Sequence, residues 1–107
     1  MKKIIRTPNA PAPIGPYNQA VRAGNTLYVS GQIALDPATG ELLNGSIEEE
    51  THLVMKNLQA VLAAAGADFP QVVKSTIFVK DMGQFSRINE VYGAYFDADT
   101  APARETV

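Results

Sequence analysis

The stretch that decides the fold is Leu27–Leu35, LYVSGQIAL. Leu27, Val29, Ile33 and Leu35 recur at a period of two, with Tyr28, Ser30 and Gln32 on the opposite side, which predicts a β-strand with one apolar face. Gly31 breaks the apolar row. A glycine inside a strand marks either a bulge that relieves crowding or a place where a ligand or another backbone comes close. Both readings stay open on this stretch alone. Ser30 and Gly31 offer a hydroxyl and an unobstructed backbone N–H side by side.

Upstream, Gln19–Ala23 and this strand flank Gly24-Asn25, which predicts a hairpin. Before it runs TPNAPAPIGPY (7–17), with Pro8, Pro11, Pro13 and Pro16. Proline removes a backbone donor, so this segment cannot join a central ladder and is an ordered loop or a loose arm. It closes on Tyr17, for which packing with a wet tip is the commoner fate. Lys3–Arg6 is a candidate edge strand. Downstream, Asp36–Gly40 is a turn-rich loop and Glu41–Leu43 a brief extension.

Ser46 and Glu49 fit a capping box that opens a helix running to about Ala65, with Gly66 at C′ and Pro70 beyond. Val54, Leu58, Val61, Leu62 and Ala65 form its apolar stripe. Glu48, Glu49 and Glu50 lie in the first turn, where the helix dipole favours negative charge without any metal. His52, the only histidine, has no ligand-spaced partner and reads as structural or solvated. Gln71–Lys80 is rich in β-formers. Asp81 can cap a second helix over Gly83–Phe96, with Phe85, Ile88, Tyr92, Tyr95 and Phe96 on its buried face. Asn89 sits at the margin of that stripe, either bonded to a loop carbonyl or part of a site. Asp97 and Asp99 read as solvated turn residues. Pro102–Val107 reads as the start of a strand.

Length and composition fit one ordinary domain, residues 1–107, with 46% hydrophobic and 19% charged residues. No apolar run is long enough for a bilayer, and MKKIIRTPNAPAP has no secretory apolar region, which favours the cytoplasm and gives no membrane partner. The absence of cysteine rules out disulfides, thiolate metal sites and a cysteine nucleophile. A net charge of -2, a pI near 5.2 and scattered basic residues disfavour nucleic acid as a partner. The pattern is α+β with the order ββ(β)αβαβ. Two helices over one face leave the other bare, and a second subunit is the economical cover.

Five pieces in register carry a family resemblance: IGPY at Ile14–Tyr17, VSGQI at Val29–Ile33, GADFPQVVKSTIFVKDM at Gly66–Met82, FSRINEVYGAYF at Phe85–Phe96, and PAR at Pro102–Arg104. Together they resemble the Rid, or YjgF, family of small reactive-intermediate deaminases over essentially the whole chain. The resemblance implies a chorismate-mutase-like α+β domain, a mixed sheet with two helices on one face, and a homotrimer with sites in the clefts between subunits. It implies hydrolysis of 2-imino acids and their enamine tautomers, such as 2-aminoacrylate and 2-iminobutanoate, to 2-keto acids and ammonia, with no cofactor and no metal. Arg104 and Tyr17 are then the catalytic residues, and Ser30, Gly31, Asn89, Arg104 and Thr106 bind the small 2-imino or 2-keto acid. The planar fork of Arg104 suits a substrate carboxylate better than a lysine would.

The family continues past the position of Val107 for a strand or two that carry a glutamate thought to orient or activate the attacking water. This chain is therefore expected to lack the C-terminal strands. Glu105 stands where the family mostly has a small residue, and Thr106 where some members have cysteine. Strand alternation is expected to turn Glu105 away from Arg104. Two alternatives stand beside the deaminase: a ribonuclease or translation inhibitor, which the acidic pI and absent basic stripe disfavour, and a non-catalytic module for small carboxylates, which the missing strands favour.

Overall fold

A computed structural model describes residues 1–107. The order is βββαβαβ: β1 (Lys2–Ile5), β2 (Ala20–Ala23), β3 (Thr26–Val29), α1 (Ile47–Ala64), β4 (Lys74–Ile77), α2 (Phe85–Gly93) and β5 (Ala103–Thr106). One-turn 3-10 helices at Phe69–Gln71 and Met82–Gln84 precede β4 and α2. No helix is long and apolar enough to cross a membrane.

The predicted hairpin forms, with Ala23 opposite Thr26 across Gly24-Asn25. Gly24 has a φ of 60° and no non-glycine residue has positive φ, so only the first central position is left-handed, the II′ pattern that matches strand twist. β3 is shorter than expected. It leaves the ladder after Val29, although one more bond, Ser30 N–H to the Gln19 carbonyl at 2.9 Å, follows. Farther on, the partner side offers Tyr17, whose N–H already bonds Gly15 O at 2.8 Å, and Pro16, which has no N–H. Gly31 is therefore not a bulge in a strand. It lies in an exposed loop, and a Cβ built on it would meet nothing within 4 Å.

The expected mixed sheet is also not continuous. β1, β2 and β3 make an antiparallel ladder, and β4 and β5 make a separate parallel pair. No hydrogen-bonded strand among these residues bridges β3 and β4. The parallel pair is linked through α2, as parallel pairing demands a crossover connection.

α1 begins on Ser46, whose Oγ accepts the Glu49 N–H at 3.1 Å. The return bond of the predicted capping box does not form there. A complete box occurs instead at Asp68 and Gln71. The C-terminus follows the Schellman pattern: Gly66 N–H bonds Ala63 O, Ala67 N–H bonds Leu62 O, and Gly66 takes a φ of 74°. The buried stripe of α1 is Thr51, Met55, Asn57, Val61 and Leu62, so Val54 and Leu58 are only half-buried. α2 is shorter than expected and buries Ile88, Val91 and Tyr92, while Phe85, Tyr95 and Phe96 are half-buried at its edges.

Both helices pack on one side of the strands. Ile5, Ala10, Ala20 and Val61 form one apolar cluster, and Met55, Leu62, Phe69 and Tyr92 form a second. The molecule measures 42 × 36 × 20 Å, and its shortest dimension has room for one helix layer on one strand layer, not three layers. The opposite face is bare. Register puts Ile4, Val21 and Tyr28 in one outward row, and Tyr28 is strongly exposed, as is Phe78 just beyond β4.

Asn57 is buried to 1% exposure yet polar. Its Nδ2 donates to Ile33 O at 3.1 Å and Leu35 O at 2.9 Å, fastening the loop after β3 to α1. Asn57→Ala would leave Leu35 O without that donor and Ile33 O with only the Leu35 N–H, beside a void. The expected loss is about 1–3 kcal/mol in urea unfolding, and a variant as stable as the parent would show that the loop holds without the amide.

Candidate functional site

The parallel register sets Ser75 opposite Arg104, Thr76 opposite Glu105 and Ile77 opposite Thr106. Alternation then sorts β5 into two sides. Arg104 and Thr106 face α2, both half-buried. Arg104 Nη1 donates to Asn89 Oδ1 at 2.6 Å. Its guanidinium carbon lies 5.0 Å from the Tyr92 ring centroid and 5.4 Å from that of Phe85. Phe85, Asn89 and Tyr92 are spaced i, i+4, i+7, so one helical face supplies all three partners. Each ring under a guanidinium contributes about 0.5–1 kcal/mol when exposed and about 2 kcal/mol when desolvated.

Glu105 turns the other way, as alternation requires. Thr76 Oγ1 donates to Glu105 Oε1 at 3.1 Å, and Lys74 Nζ lies 3.4 Å away. The Thr76 hydroxyl first, and the Lys74 ammonium second, hold the Glu105 carboxyl below the ordinary glutamate value.

Tyr17, Ser30 and Gly31 form a second edge. The Ser30 hydroxyl donates to Asn18 O at 2.6 Å, which ties the residue after β3 to the residue after Tyr17. Tyr17 is 50% exposed and Ile14 91%. The proline-rich loop before them is ordered by Gln19, which is buried to 3%. Gln19 Oε1 accepts the Thr7 N–H at 2.7 Å, and its Nε2 reaches Thr7 O, Ala10 O and Pro11 O at 2.9–3.2 Å. No hydrogen bond or ring contact joins Tyr17, Ser30 or Gly31 to Arg104 within one chain. The predicted site residues thus fall in two groups: Arg104, Asn89 and Thr106 around α2, and Tyr17, Ser30 and Gly31 at the loop edge.

Asn89 is exposed and bonds Arg104, not a loop carbonyl. His52 is exposed on α1, and its Nδ1 lies 2.9 Å from the Tyr95 hydroxyl. Of the acidic run at the start of α1, Glu48 serves helix contact: Arg87 of α2 makes two bonds to it, at 2.7 and 2.6 Å, which lower the Glu48 pKa and raise that of Arg87. Asp97 Oδ1 accepts the Asp99 N–H, a turn role. No group of three histidine, cysteine, aspartate or glutamate side chains converges as metal ligands would.

A family model described as Endoribonuclease L-PSP matches residues 7–107. The chain belongs to this family, which includes the Rid proteins. It is 50% identical over 107 residues to a RutC family protein of Pyrococcus horikoshii, covering all of this chain and 84% of that one. It is 48% identical over 104 residues to the 2-iminobutanoate/2-iminopropanoate deaminase of Mus musculus, covering 97% of this chain and 76% of the mouse protein. Among solved structures, a Rid family protein from Yersinia pestis is 45% identical with a TM-score of 0.96, covering 100% of this chain and 85% of that one. TdcF of Escherichia coli with bound serine is 40% identical with a TM-score of 0.91, covering 98% and 84%. The Rid membership and the small α+β fold expected from the sequence are thereby borne out.

Sequence reading misses the helical face beneath Arg104. Phe85 and Tyr92 read there only as part of the buried stripe of α2. Their cationic partner lies on a strand distant in sequence, and no local pattern announces it.

Because Glu105 faces away, Glu105→Ser is expected to leave the affinity for a small carboxylate unchanged, measured by calorimetry. Tighter binding in that variant would place Glu105 in competition with ligand. The pKa of Glu105 is depressed in the fold, so its stabilising contribution is present above the ordinary glutamate pKa and is lost as pH falls through the depressed value. Thr76→Val should raise the Glu105 pKa toward the ordinary value in a carboxyl NMR titration.

Proposed function

We propose that this chain is a hydrolytic deaminase that converts 2-imino acids and their enamine tautomers to 2-keto acids and ammonia. The observation that carries this reading is the Arg104 guanidinium, half-buried over Phe85 and Tyr92 with Nη1 bonded to Asn89. Its remaining N–H groups can grip a carboxylate through two parallel bonds. The mouse relative's name supplies the reaction class, and the serine bound to TdcF is itself a small amino acid carboxylate.

In the hydrolysis, water oxygen adds to the imine carbon, the carbon–nitrogen bond of the resulting carbinolamine breaks, and nitrogen leaves as ammonia while the carbonyl forms. Proton transfer must accompany both steps. Arg104 fixes the carboxylate and so places the adjacent imine carbon for attack. The Gly31 N–H, the Ser30 hydroxyl and the Tyr17 phenol would face that carbon from the other side, with Thr106 beside the clamp on β5.

The loop edge and the Arg104 face are separate within one chain, so the full constellation calls for a neighbouring copy. The bare apolar face with Tyr28 and Phe78 supports association, and a homotrimer is the form proposed. Each cleft would then join Arg104 of one subunit to Tyr17 of the next. Light scattering of the purified protein is expected to give three times the chain mass, and a strictly monomeric species at working concentration would leave the site incomplete.

Arg104→Ala is expected to cut ammonia release from enzymatically generated 2-aminoacrylate by about a hundredfold or more, since two charge-assisted bonds are worth about 1.5–3 kcal/mol each. Near-full activity in that variant would remove the clamp. Calorimetry with 2-oxobutanoate separates the alternative: binding without turnover would make the chain a carboxylate-binding module.

A further inference from the structure

Tyr92 is one of the most enclosed aromatics of the molecule, at 9% exposure. Its ring packs against Phe96, tilted by 34° with centroids 4.7 Å apart, and packs with Met55, Leu62 and Phe69. Core packing explains the ring but not its hydroxyl. That oxygen lies 2.6 Å from Ser75 Oγ. Ser75 is the residue directly opposite Arg104 in the β4–β5 register. The ring face, in turn, lies 5.0 Å from the Arg104 guanidinium carbon, nearer than Phe85 at 5.4 Å.

These contacts close a circuit. β5 carries Arg104, β4 sets Ser75 beside it, the Ser75 hydroxyl holds the Tyr92 phenol, and the Tyr92 ring returns to the guanidinium. We propose that Tyr92 is a positioning residue: its ring fixes the guanidinium of Arg104, and its bond to Ser75 fixes the ring. This rests on the carboxylate-clamp reading of Arg104. Asn89 holds one end of the guanidinium by a single hydrogen bond, about which the group can still pivot. The Tyr92 face restricts that pivot and so sets the direction in which the free N–H groups meet the carboxylate. Ser75 is part of the device because a phenylalanine in place of Tyr92 would keep the packing and lose the tether.

The effect belongs in ligand affinity more than in turnover. Tyr92→Phe, Ser75→Ala and their double variant are compared with Tyr92→Leu and Arg104→Ala, each read by KM and kcat for ammonia release and by the Kd of 2-oxobutanoate. Tyr92→Leu should raise KM and Kd roughly tenfold, the worth of one partly desolvated cation–ring contact. Tyr92→Phe and Ser75→Ala should raise both by a smaller and mutually similar factor, with kcat nearly unchanged. The double variant should lose no more than either single one, because both remove the same bond. Unchanged KM and Kd in Tyr92→Phe, Ser75→Ala and Tyr92→Leu would overturn the positioning role while Arg104→Ala still kills activity. A fall in kcat and in melting temperature with KM and Kd constant would do the same and leave Tyr92 a core residue only. Full activity of Arg104→Ala would instead bring down the clamp and this role together.

Discussion

The structure depends on one register, the parallel pairing that sets Ser75 beside Arg104 and Thr76 beside Glu105. In a strand the side-chain period is two, so a slip of one residue exchanges the faces entirely. Here the exchange would aim a carboxylate at the rings of α2 and send the guanidinium to the bare side. Polar bonds specify the register from both sides. Thr76 and Lys74 engage Glu105 outward, and Asn89 engages Arg104 inward. The neighbouring charges of opposite sign therefore do not pair with each other, and the cation stays available on the helical side.

Around this pair the molecule is a two-layer body with loops fastened by side-chain amides. Asn57 ties the segment after β3 to α1, and Gln19 ties the proline-rich loop to the start of β2. Neither segment joins the three-stranded ladder, and beyond the short Leu35–Leu42 bridge a buried carboxamide supplies the missing partners. The Ser30 hydroxyl joins the two loops at their outer edge. The loop edge is thus attached to the same core that carries Arg104, although no direct contact links them.

Much of this is legible in residue order, for local reasons. Gly24-Asn25 specifies its turn, Ser46 and Gly66 bracket α1, and alternation in Pro102–Val107 predicts the opposed directions of Arg104 and Glu105. Where local pattern fails, a distant partner decides. The apolar alternation of Ile33 and Leu35 promises strand, but Pro16 and Tyr17 cannot extend the ladder to meet it, and Asn57 captures the carbonyls instead. Tyr92 reads as core because burial is periodic along a helix, whereas the Ser75 bond to its hydroxyl is not written in any period. The family resemblance groups Arg104, Asn89 and Tyr17 in one chemistry, yet one chain places only the first two in contact.

Gln19 has a chemical consequence of its own. Its amide hydrogens point among three backbone oxygens, and its carbonyl takes the Thr7 N–H. Spontaneous hydrolysis of that amide would put a carboxylate where two donor hydrogens had been, facing those oxygens in a region nearly closed to water. Charge and lone pairs would then repel the Thr7, Ala10 and Pro11 oxygens, only the Thr7 N–H bond would survive, and the proline arm would lose its main fastening to the start of β2. The enclosure that makes the amide indispensable also keeps water from it, so the burial that creates the risk is what shields against it.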